Sequence, residues 1–172
     1  MTAVARWIGR LDARDRGMLV RYGLRDSSNA ALRGSWIALT YLGSAPVAVG
    51  AALLPLGLPH WPRRASIDAA IALAASHLVV QITKHMVSRA RPPLPALIRC
   101  PDRFSFPSGH ATAALAVTLS YALAFPALAG PLVVLGLLVG ASRVVLRVHY
   151  PGDVFVGQLA AILAVFGAHA LR

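Results

Sequence analysis

Hydrophobic and polar positions along this chain alternate on the scale of whole helices, not of single strand residues. Five apolar runs stand out: about Ser35 to Leu58, Ser66 through "AAIALAASHLVVQITKHMVSRA", Ala111 to Phe125, Pro131 to Val145, and Asp153 to Leu171. Each is long enough to read as a membrane crossing, although the shorter ones need flanking residues to traverse a ~30 Å core at ~1.5 Å per residue. The pattern predicts an all-α polytopic transmembrane bundle of about five spans. The segment before the first run, "VARWIGRLDARDRGMLVRYGL", mixes Trp7, Ile8, Leu11, Met18 and Leu19 with arginine and aspartate. It is too charged to span and suits a helix lying in the interface with its arginine stems snorkelling. The chain therefore divides into an N-terminal amphipathic or interfacial region, 1–33, and a membrane-embedded region, 34–172.

This layout predicts sides. Residues 84–110 and 142–153 connect spans at one face of the membrane, while 59–65, 126–130 and the C-terminus lie at the other. The first face also receives the N-terminal segment with Arg6, Arg10, Arg14, Arg16, Arg21, Arg25 and Arg33, against Arg63, Arg64 and Arg172 opposite. The positive-inside rule then turns the first face toward the cytoplasm.

Composition sharpens the membrane reading. The chain is 57% hydrophobic and 13% charged, with a mean hydropathy of +0.64; soluble domains carry about 25% charged residues. A formal charge of +11 does not point to nucleic acid, because the sequence has no polar recognition module and few aromatics for stacking bases. Anionic headgroups and a phosphorylated substrate account for it instead. Cys100 is the only cysteine, which excludes an internal disulfide framework and a cysteine-rich metal site.

Three polar clusters interrupt the apolar pattern, all at the predicted first face. In "KHMVSRARP", Lys84 and Arg91 are seven apart, which on a continuous helix places them on one side. Charges at a span end are costly and commonly functional, although a headgroup anchor would look alike. In "FPSGH", Ser108 is placed to cap a helix, Gly109 permits close approach, and the free amides of the helix start favour an anion. His110 in the first turn can offer a proton to an oxygen leaving that anion. In "ASRVVLRVHYPGD", Arg143 ends one run, and His149 and Asp153 stand four apart around the next helix start, helped by Pro151. In one helix they would share a face, with Asp153 fixing the imidazole tautomer and leaving a nucleophilic nitrogen.

Together the clusters supply three cations, amide donors, an acid histidine and a nucleophilic histidine with its carboxylate. That is equipment for phosphoryl transfer. No dense carboxylate cluster is present for a two-metal centre, and no P-loop for ATP; neither metal nor cofactor is expected.

Lys84-x6-Arg91-Pro92, Pro107-Ser108-Gly109-His110 and Ser142-Arg143-x5-His149-x3-Asp153 resemble the three-part signature of the type 2 phosphatidic acid phosphatase superfamily, which also includes vanadium haloperoxidases. The resemblance covers residues 84–153. It implies that Lys84, Arg91 and Arg143, with Ser108 and the Gly109 amide, hold the phosphate oxygens. His149 would attack phosphorus to form a phosphohistidine, Asp153 would orient it, and His110 would protonate the leaving group, without metal. Pro92, Pro107 and Ser142 would support the motifs. The implied substrate is a lipid phosphate in a bacterial cytoplasmic membrane, with a polyprenyl phosphate or diphosphate preferred. The same resemblance leaves phosphatidylglycerol phosphate, phosphatidic acid and a decaprenyl-linked phosphoribose phosphate open. A vanadium haloperoxidase and a non-catalytic lipid-binding or transport protein are the rival classes.

Overall fold

The computed structural model describes residues 3–25, 27–100 and 102–170, with side chains from Asp12 onward. Leu171 and Arg172, and the side chains of Arg6, Trp7, Ile8, Arg10 and Leu11, lie outside the described residues. Seven α-helices follow in order: α1 (Ala3–Tyr22), α2 (Ala30–Tyr41), α3 (Ala45–Leu53), α4 (Arg63–Val87), α5 (Gly109–Ala124), α6 (Ala129–Val145) and α7 (Pro151–Ala170). Among the described residues there is no strand, only an isolated bridge between Ala90 and Phe104.

Local chemistry sets several of these boundaries. The Asn29 side chain accepts a hydrogen bond from the Ala31 amide at 2.7 Å and caps α2. Pro46 opens α3 and Pro151 opens α7, where a missing N–H costs nothing. Helix α4 stops at Val87 because Ser88 turns left-handed, at φ 49°, while its amide still bonds the Lys84 carbonyl at 2.9 Å.

Helices α4 and α7, and α6 together with the 3-10 turn that precedes it from Pro126, are each long and apolar enough to cross a membrane. The predicted first run is a pair, α2 and α3 with its 3-10 extension to Gly57, bent by 53° at Leu42–Ser44. The predicted third run is α5, whose 16 residues make about 24 Å. It is the inner helix, in contact with α3, α4, α6 and α7. Packing is inside-out relative to a soluble protein: Ala69, Ala72, Ala111, Ala116 and Ala161 are fully buried, while Leu78, Met86, Phe155 and Leu163 are exposed. Small side chains let backbones approach where lipid offers no hydrophobic drive between helices. At Gly157 of α7 a Cβ would stand 2.7 Å from the Ser108 carbonyl oxygen, so only glycine lets α7 lie against the start of α5.

Helix α1 packs on the bundle through Leu19 and Asp15, both buried, and meets α6 and α7. Its end is tied by the Leu24 amide to the Val145 carbonyl at 2.9 Å. The N-terminal segment thus lies at the end of the bundle that carries the 88–108 and 146–150 connections. At the other end Trp61 packs against Tyr121 and Phe125 and donates to Ser66 Oγ.

Candidate active site

The left-handed turn at Ser88 sends Lys84 and Arg91 into the site by different routes. Lys84 reaches in from the last turn of α4, and Arg91 comes from the loop beyond it. The expectation that helical register puts them on one side is corrected: the helix ends between them, and the loop performs the convergence. That loop folds back on itself through the Ala90–Phe104 bridge, with the Ser105 amide bonding Arg89 O at 2.9 Å and Ser105 Oγ bonding Ala90 O at 3.0 Å. The fold-back delivers Asp102, whose carboxylate pairs with both Lys84 Nζ and Arg91 Nη2. Arg91 also donates to the carbonyls of Asp102, at 2.9 Å, and Val148, at 2.7 Å. Burial pushes the Asp102 carboxyl up, but Lys84 and then Arg91 outweigh it and hold it below its ordinary value.

Arg143 organises the third motif twice over. Its carbonyl accepts the amides of Val148 and His149 at 3.1 and 3.2 Å, closing the turn after α6. Its buried guanidinium extends the other way, donating from Nη1 to Thr40 Oγ1 on α2 at 2.8 Å, while Nε has no partner. Gly43, at the α2–α3 bend, approaches so closely that a Cβ would lie 2.6 Å from the His110 carbonyl oxygen. The break in the first run therefore sits at the level of His110.

His149 lies just before α7, not inside it, so the pairing with Asp153 does not arise from a shared helical face. Nδ1 stands 2.7 Å from the Ser105 carbonyl oxygen and 3.5 Å from Asp153 Oδ2. A carbonyl can only accept, so Nδ1 carries the proton and Nε2 keeps its lone pair. Burial, reinforced by Arg143 and Arg91 against the pull of Asp153, pushes the imidazole down to about 4. Neutral His149 therefore presents Nε2 toward the cations, with Arg91 Nη1 at 3.5 Å.

Asp153 is fully buried and fixed on both oxygens: Oδ2 accepts the Tyr150 amide at 2.9 Å, and Oδ1 accepts Arg89 Nη1 at 2.6 Å. Arg89 is in turn held by Asp15 Oδ2 at 2.8 Å and by Asp12, and its guanidinium carbon stands 4.2 Å from the centre of the Tyr150 ring. Burial alone would lower the Arg89 pKa, but Asp153, Asp15 and Asp12 raise it. Asp15 Oδ1 also accepts the Gly152 amide at 2.9 Å.

Ser108 precedes α5 as expected, but its side chain makes no capping bond. Its amide donates to the Asp153 carbonyl at 2.9 Å, its carbonyl accepts from Thr112, and Oγ is buried without a partner. The expected cap is corrected: this hydroxyl is left for another acceptor or donor. Ser142 Oγ bonds back to Val139 O at 2.6 Å, and Pro92 and Pro107 are buried supports.

Lys84, Asp102, Gly109, His110, Arg143 and His149 line one cleft of about 380 Å³. From them it continues between α3, α4 and α5 past Val49, Ala52, Leu53 and Ala70. Lys84 and Ala70 are separated by about 21 Å of helix, so the cleft runs a long way into the apolar part of the bundle. Among the described residues no cluster of histidine, cysteine and carboxylate has the makings of a metal site.

Sequence reasoning missed Arg89, Asp102, Asp12, Asp15, Thr40 and the Ser105 carbonyl. A signal existed for the carboxylates: the chain has only six acidic residues, and Asp12, Asp15, Asp102 and Asp153 all sit around the site.

Known proteins resemble this chain in sequence and in fold. The PAP2 superfamily pattern matches residues 65–172. Decaprenylphosphoryl-5-phosphoribose phosphatase of Mycobacterium tuberculosis is 36% identical over 140 residues, covering 77% of this chain and 68% of that protein. Undecaprenyl-diphosphatase BcrC of Bacillus subtilis is 42% identical over 62 residues, 36% of this chain and 32% of its own. Two crystal structures share the fold. A transmembrane PAP2-type phosphatidylglycerolphosphate phosphatase from Bacillus subtilis has a TM-score of 0.75 and 23% identity, over 94% of this chain and 86% of that one. LpxE of Aquifex aeolicus has a TM-score of 0.74 and 21% identity, over 84% and 89%. The family pattern covers every signature residue gathered in the cleft, and this integral-membrane chain belongs to the PAP2 superfamily as a hydrolase of lipid phosphates.

Proposed function

We propose that this chain hydrolyses a phosphate monoester or diphosphate carried by a polyprenyl lipid, through a phosphohistidine at His149. One observation carries the assignment of the site: a carboxylate, that of Asp102, already stands between Lys84 and Arg91 in the cleft that holds both histidines. Where one anion is held, a phosphoryl group finds the same cations. Unpartnered Ser108 Oγ and Arg143 Nε supply further donors.

In the first step His149 Nε2 forms a bond to phosphorus as the bond to the leaving oxygen breaks. His110, protonated for this step, passes its proton to that oxygen. The Ser105 carbonyl and Asp153 support the positive charge that develops on the ring. Lys84, Arg91 and Arg143 neutralise the equatorial oxygens. Water then attacks the phosphohistidine, His110 takes its proton, and His149 leaves as neutral imidazole with orthophosphate as product. The apolar continuation of the cleft suits a lipid tail, and the names of the relatives that act on decaprenyl- and undecaprenyl-linked phosphates favour a polyprenyl one.

The reading keeps about five crossings: the bent α2–α3 pair, α4, α5, α6 and α7. Residues 1–33 form an interfacial region that lends Asp12 and Asp15 to the membrane-embedded region, 34–172. Arg14, Arg16, Arg21, Arg25 and Arg33 accompany the catalytic end, so the positive-inside rule turns that face to the cytoplasm of a bacterial cytoplasmic membrane.

The test is rapid quench of purified protein with a 32P-labelled polyprenyl phosphate. Acid-labile label on the wild type and none on His149→Ala, with turnover abolished, is expected. Normal turnover by His149→Ala would sink the covalent step.

A further inference from the structure

Helix α1 grips the catalytic connection from the end of the bundle. Its inner side carries Asp12, Asp15 and Leu19. Asp15 accepts the Gly152 amide at 2.9 Å with one oxygen and Arg89 Nη2 at 2.8 Å with the other. Asp12 accepts Arg89 Nε at 3.0 Å. Leu19 packs in one core cluster with Ala111, Val144, Tyr150 and Val154. These contacts fall on both sides of His149 and on the arginine that fixes Asp153 Oδ1. How firmly α1 is seated therefore bears on how firmly the nucleophile and its carboxylate are held.

The outer side has a different chemistry. Arg14, Arg21 and Arg25 are exposed, and so are Met18, Val20 and Tyr22. Arg14, Met18 and Arg21 follow at i, i+4 and i+7, one helical stripe, and Arg25 comes just beyond the helix end. The helix thus separates its charges: its two carboxylates turn inward to Arg89, and these arginines turn out among apolar side chains. Cations interleaved with apolar side chains fit the headgroup layer of an anionic bilayer, where the stems bury and the guanidinium groups meet lipid phosphates. A nucleic acid or an acidic protein would use the arginines but leave Met18 and Val20 without a partner.

We propose that α1 couples the charge of the membrane surface to turnover. An anionic bilayer binds the arginine face and seats the helix, and Asp12, Asp15 and Leu19 pass that hold to Arg89, Asp153 and His149. Anionic lipid favours the seated state because only a helix lying flat in the headgroup layer offers it all three arginines at once. The partner is the lipid surface, not the substrate. The turnover being regulated rests on the phosphatase reading; the membrane contact of α1 does not.

The test reconstitutes the full chain in vesicles of phosphatidylcholine, alone or with one-third phosphatidylglycerol, at equal mole fraction of a polyprenyl phosphate. Anionic lipid should raise kcat by roughly 5-fold, the low end of ordinary coupling between sites, and high salt should erase the rise. Arg14→Gln/Arg21→Gln/Arg25→Gln should match the wild-type kcat in neutral vesicles and lose the rise. Hydrogen exchange across residues 12–22 should slow with anionic lipid in the wild type and not in that variant, a readout that needs no turnover. An equal wild-type kcat in both vesicles, or a rise that the arginine variant keeps, overturns the coupling. Slower exchange without a rise in kcat makes α1 an anchor alone and also overturns it. A wild type that releases no orthophosphate in either vesicle overturns the phosphatase reading and the regulation with it, while slowed exchange would still support the membrane contact.

Discussion

Arg89 has no place in the three-part signature, yet its removal should be among the most damaging single changes outside it. Arg89→Met keeps the length and apolar stem of the side chain but leaves Asp12, Asp15 and Asp153 around a vanished cation. Two of those carboxylates, Asp15 and Asp153, are buried, and Arg89 bonds them at 2.8 and 2.6 Å. Breaking a buried pair from one side costs about 3–5 kcal/mol. For a chain of this length that is roughly 6–20 °C in Tm, readable by circular dichroism in detergent. Catalysis should fall separately. Freed from Arg89, Asp153 keeps the Tyr150 amide and the His149 ring on Oδ2 but loses the bond that fixes Oδ1, and the imidazole it supports shifts against the phosphoryl group. A misplacement near 1 Å costs about 100-fold in kcat, with KM little changed because the phosphate clamp remains. Adding Asp12→Asn and Asp15→Asn to Arg89→Met removes two of the three stranded charges and should restore part of the Tm but not kcat. The reasoning fails if Arg89→Met matches the wild type in both measurements. It also fails if the triple variant recovers full kcat, which would make Arg89 a folding element alone.

Asp102→Asn releases Lys84 and Arg91 from their internal anion. Inhibition by orthophosphate should tighten by roughly 3- to 10-fold, the modest size expected of partly exposed pairs; weaker or unchanged inhibition would show that Asp102 does not compete for the clamp. The depressed pKa of His149, about 4, should carry the acid limb of kcat/KM well below the ~6.5 of a free imidazole. Between those values the unfolded chain binds a proton that the folded one refuses, so stability should fall as pH drops from about 6.5 to about 4; His149→Ala should flatten that slope. Cys100 lies in the loop beside the cleft, so a membrane-impermeant maleimide should label it in inverted vesicles and not in right-side-out ones. The reverse pattern would place the active site on the outer face.

Apolar run length and the absence of strand patterning made the helical membrane bundle legible in the sequence, and the spacing of three polar motifs picked out residues that the fold gathers around one cleft. Each reflects local chemistry: a span must be apolar over its length, and a helix start presents free amides whatever surrounds it. The same reasoning misjudged how those residues meet. Periodicity assumes that a helix continues, so it placed Lys84 with Arg91 on one face, and His149 with Asp153 on another if one helix held both. A left-handed Ser88 and a helix that begins only at Pro151 undo both. The Ser108 hydroxyl followed suit, because a capping residue is inferred from its neighbours in sequence, whereas its buried oxygen is set by α7 passing over it at Gly157.

Tertiary structure alone decided the outer layer of the site. Asp12 and Asp15 reach Arg89 across more than seventy positions of sequence, Thr40 reaches Arg143 across about a hundred, and the Ser105 carbonyl reaches His149 from another connection. No periodicity links such positions. What brings them together is the cost of leaving a charge or a polar atom unpaired inside an apolar bundle. That cost is met by whichever residue the packing of small-sided helices carries within reach.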